Sequence, residues 1–378
     1  MRFMQADRDT CDTLLPGLRA ALAAEPLAKL EAEGGPAMGL FREYGGSNLL
    51  IPKAYGGLGA DALEATRVVR VLGSLSPSLA VATAMHHFSI GMLFGIAESF
   101  GPGTDLNDTL KRVSEERLLL ASGFAEGRSD QGILSPTMVA QPTEGGYLLS
   151  GSKKPCSLSR SMGLLTASVG MRRPDGSIEM GFLLLPADTP GVSVLPFWSS
   201  FALAGAESNE VRLKDVFVTE GQILRPPADL VDGLSELQEV GLIWFQMIVS
   251  AAYTGLASAL VDRLLEKGRG SASDRAAIAV RVESAALLTE GLARRVASGD
   301  TGNDALAAAL VTRFTVQDLL ADTVRGVVEL LGGIAYVTSS DTAYLAAASH
   351  ALAFHPPSRS SMVDGLLDYY AGKPLIVG

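Results

Sequence analysis

An uncharged segment, Val240 to Val261, places the strongest constraint on how this chain can fold. As a helix it is long enough to cross a bilayer, so one interpretation is a membrane anchor. However, it follows Glu239, contains Gln246 and several small residues, and has no basic residue at its N-terminal side. Flanking Lys and Arg residues are typical of membrane helices. The segment therefore predicts a helix that is buried on all sides inside a large helical assembly.

The charge balance excludes some classes of partner. The 378 residues include 31 Lys or Arg and 41 Asp or Glu, which gives a formal net charge of −10 at pH 7. We therefore do not expect nucleic acid or an anionic membrane as a general partner. Hydrophobic residues make up 47% of the chain and charged residues 19%, so the chain is not disordered. This apolar excess indicates surface shared with another subunit, and we expect a homo-oligomer (dimer or tetramer) or a hetero-oligomer with a related subunit.

The cysteines and the N-terminus indicate the compartment. Cys11 and Cys156 are the only two cysteines, too few for a disulfide framework or a paired-cysteine metal site. The first residues contain no apolar run of signal-peptide length. We therefore expect a cytoplasmic protein.

The pattern of hydrophobic residues changes twice along the chain. Residues 1–117 have helical spacing, with a Pro and Gly turn before Asp61, which is a suitable helix N-cap. Residues 118–224 contain short apolar runs bounded by Gly, Pro, Asp and Ser, which is typical of strands; a turn is expected at Lys214 and Asp215. Residues 225–378 are helical again, and a long helix is expected to end at Gly332 and Gly333. These ranges predict a helical domain, a β domain and a second helical domain.

Most motifs that carry chemistry are missing. The glycines at 56–59 have the wrong spacing for a dinucleotide fingerprint. The four histidines include no pair at the helical spacing that binds a metal, so no metal site is expected. No nucleophile elbow occurs. The residues alone thus predict a large oligomeric protein without assigning a reaction.

Several short strings follow one another in order over about the whole chain: IPKAYGGLGAD (51–61), GFAEGRSD (123–130), GYLLSGSKKPCS (146–157), TPGVSVLP (189–196), VRLKDVFV (211–218) and ELLGGIAYV (329–337). Together they resemble the acyl-CoA dehydrogenase family. The resemblance implies an α+β fold, with an all-α N-terminal domain, a middle β-barrel or sandwich domain and a C-terminal four-helix bundle.

The resemblance implies an FAD between the β domain and the C-terminal helices, and it implies which residues touch this FAD. Ala125 stands where the family usually has Thr, Pro155 where it has Trp, and Glu329 where it has Gln. Cys156 lies beside the implied flavin loop, although packing is its alternative role. The implied FAD contacts are Phe124, Ala125, Ser129, Cys156, Ser157, Glu329, Gly332, Gly333, Ser358 and Arg359.

The family's usual catalytic Glu is absent. His355 occupies that position in the string FHPPSR (354–359), so it is either the base or a residue that shapes a loop. Gln246 falls where an Arg usually supports the CoA end of the substrate. Trp244, Phe245 and His87 are candidates for the substrate pocket, with core packing as the alternative for each.

Three functions remain open from the sequence. The first is an FAD-dependent dehydrogenase that forms an α,β double bond in an acyl thioester of CoA or an acyl carrier protein. Its electron acceptor would be an electron-transfer flavoprotein or oxygen. The second is a flavin-dependent monooxygenase on the same fold, which the His355-Pro356-Pro357 segment favours. The third is a non-catalytic subunit of a hetero-oligomeric acyl-CoA dehydrogenase.

Overall fold

A computed structural model describes residues 2–97, 105–127, 136–173, 175–225 and 233–377. Its first part is helical. Pro16 and Pro26 separate the first three helices, as expected for a residue that cannot continue a helix. The helices are α1 (Gln5–Leu14), α2 (Leu18–Ala23), α3 (Leu27–Leu30), α4 (Ala37–Glu43), α5 (Ala62–Leu75), α6 (Pro77–Ala97) and α7 (Asp105–Glu115).

The start of α5 confirms the predicted N-cap. The Asp61 carboxylate accepts a hydrogen bond from the Glu64 amide, and the Glu64 carboxylate accepts one from the Asp61 amide. This reciprocal arrangement satisfies two amides that the helix itself leaves unpaired.

The middle part forms two four-stranded sheets. The strands are β1 (Leu120–Gly123), β2 (Gln141–Thr143), β3 (Gly146–Cys156), β4 (Leu164–Arg172), β5 (Ile178–Pro186), β6 (Val192–Leu195), β7 (Asn209–Val218) and β8 (Ile223–Leu224). One sheet has the order β1-β4-β5-β8 and the other has the order β2-β3-β7-β6. Only β1 and β4 pair in parallel among the described strands.

One local prediction in this region is wrong. The expected turn at Lys214 and Asp215 is not formed, because both residues lie inside the continuous strand β7. Asp215 has a positive φ of 50° and receives a hydrogen bond from the Ser150 hydroxyl, so the strand is irregular there without ending. In the last part of the chain, the expected helix end at Gly332 is confirmed: Gly332 has φ 82° and ψ 165°, which is not helical, and a second helical segment follows it up to Thr338.

The last part is helical and contains the long buried helix. Its elements are α8 (Gly233–Lys267), α9 (Ala272–Ala297), α10 (Asn303–Thr338), α11 (Ser340–Ser349) and α12 (Val363–Tyr370). Helices α8, α9 and α10 pack against one another, and α11 packs on α8 and α10. The stretch Glu239–Lys267 is long and apolar enough to cross a membrane, but 89% of its apolar window is buried in the protein. The prediction of a helix buried in a helical assembly is confirmed.

Helix α8 is held by a close backbone crossing with α5. A Cβ atom added to Gly255 would lie 2.1 Å from the Arg70 carbonyl oxygen, and one added to Gly73 would lie 2.1 Å from the Ala252 carbonyl oxygen. Only glycine permits two backbones to approach this closely. The contact fixes the position of α8 along α5, and α6 packs on α8 and on β1.

Candidate functional site

A cavity of about 240 Å³ lies where α6, α8, the sheets and the turn after α11 meet. Among the described residues that line it, none is Asp, Glu, Lys or Arg. Its walls are mainly apolar, and the titratable side chains in them are His355 and Tyr253. The lining residues are Val81, Met85, Phe88 and Met92 of α6; Ser122, Phe124, Ala125, Pro155, Ser157 and Phe182 of the β region; Trp198, Leu203 and Ser208 before β7; Gly241, Leu242, Phe245 and Tyr253 of α8; and Ala351, Phe354, His355 and Pro356.

One wall of the cavity carries hydroxyl groups. Ser122 lies on β1, Ser157 directly follows β3, and Ser208 directly precedes β7. The hydroxyls of Ser157 and Ser208 are 2.9 Å apart and hydrogen-bonded. These groups can both donate and accept hydrogen bonds, so they suit a polar-edged ligand that is otherwise flat and apolar.

Another part of the lining places His355 against α8. The Tyr253 hydroxyl lies 3.0 Å from His355 Nε2, and the rings of Phe245 and His355 are 5.9 Å apart in an edge-to-face arrangement. Burial, followed by the nearby Arg313 guanidinium, lowers the pKa of His355 to about 3. His355 is therefore neutral at physiological pH.

The turn that carries His355 is held by a fully buried arginine. Arg313 of α10 donates hydrogen bonds to the carbonyl oxygens of Pro357 (2.8 Å), Leu352 (2.7 Å) and His355 (2.6 Å). Burial lowers the pKa of Arg313 to about 10, so it remains charged. Among the described residues no carboxylate pairs with Arg313. The three carbonyl oxygens accept the hydrogen bonds of its guanidinium instead. A charge in this position fixes the path of the turn.

Three of the ten implied flavin contacts line the cavity: Phe124, Ala125 and Ser157. Cys156 is buried beneath them, and burial raises the pKa of its thiol to about 12. Ser129 lies outside the described residues. The other five, Glu329, Gly332, Gly333, Ser358 and Arg359, are not part of the cavity lining in the described structure.

Of these five residues, Arg359 makes hydrogen bonds elsewhere in the protein and Gly332 lies at a break in α10. Arg359 donates to the Phe314 carbonyl oxygen (2.7 Å) and to Asp318 (2.8 Å). Gly332 leaves the helical conformation and is followed by exposed apolar side chains, Ile334 and Val337. The segment after Gly332 therefore presents an apolar surface away from the cavity.

The implied substrate residues are placed differently from one another. Phe245 lines the cavity, whereas half-buried Trp244 packs against Gly91 of α6. Gln246 is buried and donates to the Pro356 carbonyl oxygen at 3.1 Å, so it supports the same turn as Arg313. Both ring nitrogens of His87 are sealed in the core without a partner, although His87 packs edge-to-face on Phe41.

Neighbouring His86 has a structural role. Its Nδ1 accepts a hydrogen bond from the Leu120 amide at 3.1 Å, so its Nε2 carries the proton and donates to the Ser47 carbonyl oxygen at 2.8 Å. This tethers α6 to the first residue of β1.

The sequence reasoning did not find Tyr253, Arg313 or Ser208. Tyr253 is the one phenol in the uncharged part of α8, and Arg313 is the one charge between Asp304 and Asp318. A lone polar group in an apolar helical stretch is buried with a partner, so these signals were available. Their partners, however, lie on a turn far away along the chain.

No family model matches the chain, but individual known proteins are similar to it. The isobutylamine N-hydroxylase of Streptomyces viridifaciens is 51% identical over 376 residues, which cover 99% of this chain and 100% of that protein. The L-prolyl-[peptidyl-carrier protein] dehydrogenase of a Serratia strain is 21% identical over 306 residues, which cover 77% of each chain.

Solved structures confirm the predicted fold class. FMN-bound TdsC from Paenibacillus sp. A11-2 superposes with a TM-score of 0.81 at 17% identity, covering 100% of this chain and 98% of that one. The fold is therefore that of the acyl-CoA dehydrogenase-like flavoproteins. Within that fold, the identity to the Streptomyces enzyme over nearly the whole chain shows that this protein belongs to the same family as isobutylamine N-hydroxylase.

Proposed function

We propose that this chain is a flavin-dependent monooxygenase that hydroxylates the nitrogen of a small aliphatic primary amine. The observation that carries the proposal is the cavity, whose described lining contains no carboxylate that could act as the base of a dehydrogenase. The 51% identical N-hydroxylase supports it. The coarser assignment, an oxidoreductase of the flavoprotein class, follows from the family itself.

The cavity fits a flavin ring. Phe124, Ala125 and Pro155 offer apolar surface, and the hydroxyls of Ser122 and Ser157 offer hydrogen bonds to ring heteroatoms. FAD is our expectation, and FMN, which TdsC binds, presents the same ring. When bound, the reduced flavin supplies two electrons, so that R–NH₂ and O₂ give R–NHOH and water.

The remaining part of the cavity suits a short alkyl chain. Val81, Met85 and Met92 of α6 and Leu242 and Phe245 of α8 line the cavity, and burial of alkyl groups against such side chains is favourable. Nitrogen must present a lone pair to accept oxygen, so the amine has to bind unprotonated. A cavity without a carboxylate disfavours the charged ammonium form by desolvation, which is the required effect.

Under this proposal His355 is not the general base, which is one of the two roles that the resemblance leaves open for it. A general base works best with a pKa near the operating pH. The pKa of His355 is lowered to about 3, first by burial and then by Arg313, so His355 accepts a proton only weakly. A neutral imidazole can instead donate a hydrogen bond within the cavity.

Dehydrogenation of an acyl thioester is the second candidate. The Serratia carrier-protein dehydrogenase favours it, and so does Ser157, which matches the dehydrogenase string and lines the cavity. This reaction would need a proton acceptor at the acyl α-carbon. In the described cavity wall, that acceptor would have to be His355.

One experiment separates the two candidates. The purified chain is given chemically reduced FMN or FAD and oxygen with isobutylamine, and N-alkylhydroxylamine is quantified. In parallel, the chain with oxidised flavin is mixed anaerobically with acyl thioesters, and flavin bleaching is followed. Hydroxylamine formation without bleaching supports the proposal. Bleaching without hydroxylamine overturns it in favour of the dehydrogenase.

A further inference from the structure

We propose that Tyr253 and Arg313 are positioning residues that together present His355 to the cavity as a neutral imidazole protonated at Nδ1. His355 would then act as a hydrogen-bond donor with a fixed direction. The inference deepens the proposed function, on which it rests for the chemistry of the cavity, but its test reads the state of His355 without substrate or flavin.

The hydrogen bond between Tyr253 and His355 determines which ring nitrogen of His355 carries the proton. Tyr253 is buried, and among the described residues its hydroxyl has one hydrogen-bond partner, His355 Nε2 at 3.0 Å. If Nε2 carried a proton, the phenolic proton of Tyr253 would have no acceptor in the described structure. A buried hydroxyl proton without an acceptor is costly. Tyr253 therefore donates to Nε2, and the imidazole proton resides on Nδ1.

The second ring nitrogen of His355, Nδ1, is available to a ligand in the cavity. The ring nitrogens of His87 are enclosed by protein without partners, but His355 Nδ1 is not among the enclosed atoms. His355 lines the cavity, and no described residue accepts a hydrogen bond from its Nδ1. The Nδ1–H group is thus available to a ligand in the cavity.

Arg313 keeps the imidazole ring of His355 both in place and uncharged. Arg313 holds the His355 carbonyl oxygen at 2.6 Å and the flanking carbonyl oxygens of Leu352 and Pro357. Its guanidinium therefore fixes the turn mechanically and opposes a second positive charge on the imidazole. An apolar residue of the same size could neither bind the carbonyl oxygens of the turn nor oppose a positive charge on the imidazole.

The groups facing His355 are limited in number. Tyr253 faces it from α8 and Arg313 faces it from α10, while Phe245 supplies an apolar ring edge. Arg359, on the same turn, adds positive charge near Arg313. No described carboxylate influences the pKa of His355, so nothing offsets the two effects that keep the ring neutral.

The test uses the full chain labelled with ¹⁵N at histidine only. With four histidines in the sequence, the spectra are simple, and a His355→Gln sample identifies the signals of His355. Long-range ¹H–¹⁵N spectra distinguish Nδ1–H from Nε2–H. The expected wild-type result is an Nδ1–H form whose signals stay constant from about pH 5 to pH 8. An Nε2–H form, or titration within that range, overturns the proposal.

Two variants separate the contributions. Tyr253→Phe is expected to convert His355 into a mixture of both tautomers, and Tyr369→Phe, which removes an exposed hydroxyl bonded to Asp304, serves as its control. For the Arg313 variants the titration is extended down to about pH 3. Arg313→Met is expected to raise the pKa of His355 by about one unit or more, whereas Arg313→Lys, which keeps the charge, should raise it less. Arg325→Met on the exposed face of α10 is the control.

Each variant has a contrary outcome. An unchanged tautomer in Tyr253→Phe overturns the role of Tyr253, and an unchanged pKa of His355 in a folded Arg313→Met overturns the role of Arg313. If Arg313→Met does not fold, the neutral but hydrogen-bonding variant Arg313→Gln takes its place, and an unchanged pKa of His355 in Arg313→Gln overturns the role of Arg313. Because no amine is present, a failed proposed function would leave these spectra unchanged.

Discussion

The ammonium group of Lys153 lies 2.6 Å from Glu126 Oε1, and the Lys153 side chain has no exposed surface. It also donates to the Ser168 carbonyl oxygen at 2.7 Å, so it joins β3 to β4 and to the segment after β1. Ala125, which lines the cavity, directly precedes Glu126. This buried ion pair therefore holds the chain that enters the candidate flavin site. Glu126 is thus a paired charge and not a solvated loop charge.

We expect Glu126→Gln to destabilise the protein strongly, because it leaves the buried Lys153 charge without its counter-charge. Breaking one side of a buried ion pair costs about 3–5 kcal/mol. The double variant Glu126→Gln with Lys153→Met should recover part of this loss, since neither charge remains. Chemical unfolding, monitored by circular dichroism, measures the free energy of unfolding of the single and the double variant. Equal stability of the single variant and the wild type would contradict the expectation.

The same pair predicts how stability depends on acid. Burial alone would raise the pKa of Glu126, but hydrogen bonds from Lys153 and Thr137 outweigh it and lower the pKa below 4.5. A lowered folded-state pKa contributes stability that is present above the unfolded value and is lost as pH falls through the folded value. The difference in unfolding free energy between wild type and Glu126→Gln should therefore shrink below about pH 4.5. Unfolding curves at pH 7 and at successively lower pH test this.

Gly241 is expected to limit the size of the substrate. It lines the cavity, and a Cβ atom added there meets only Met92, at an ordinary contact distance of 3.4 Å from its sulfur. Gly241→Val should therefore fold while it reduces the room for the alkyl chain. A lost or added methylene in an apolar pocket changes kcat/KM about 10–200-fold. We expect longer amines to lose more kcat/KM than shorter ones, as measured with a series of alkyl amines.

The control for that series is Gly291→Val. Gly291 lies on α9, where an added Cβ atom meets nothing within 4 Å. An identical change of specificity in both variants would show that Gly241 does not act through the cavity.

The rate of hydroxylation is expected to rise with pH. Free alkyl amines have a pKa near that of Lys, about 10.4, so the reactive neutral form increases tenfold per pH unit below that value. The pKa of His355, lowered to about 3, puts its protonation outside the working range. We therefore expect log kcat/KM for the amine to increase with a slope of one from about pH 6 to pH 9 without a second ionisation. A bell-shaped profile centred near pH 7 would contradict this.

The outer face of α9 tests the expected oligomer. Val280 and Leu287, spaced by two helical turns, are 64% and 65% exposed. Large apolar side chains on one helical stripe are typical of a surface that packs on another subunit. We expect the double variant Val280→Glu with Leu287→Glu to lower the oligomer mass measured by light scattering. If the wild type is monomeric at micromolar concentration, the prediction is wrong.

Local features of the fold were predictable from the sequence because they depend on neighbouring residues. Asp61 caps α5 through Glu64, three residues later, and Pro16 and Pro26 end helices by lacking an amide hydrogen. The buried helix of Val240 to Val261 follows from its lack of charge. The helix end at Gly332 was predictable as well, because glycine readily adopts the positive φ that ends a helix, and a second helical segment then runs to Thr338.

The site was only partly predictable because its chemistry depends on contacts between distant parts of the chain. Phe124, Ala125, Ser157, Phe245 and His355 were named from the resemblance, and all line the cavity. The state of His355 depends on Tyr253 and Arg313, which reach it from two other helices. Whether each named residue acts as the resemblance implies stays a prediction. So do the domain boundaries at 117 and 224 and the cytoplasmic location.

The glycine crossing between α5 and α8 also limits how this protein could acquire new substrates. Gly73 and Gly255 bring the two backbones into direct contact, so α8 cannot slide or rotate to enlarge the cavity without a collision. Because α8 is also packed on α9 and α10, a shift would disturb every long helix that follows. Divergence toward other substrates should therefore proceed by exchange of individual side chains, chiefly on α6 and in residues 198–208. The supporting helices would stay unchanged, so related enzymes could differ in selectivity while sharing one scaffold.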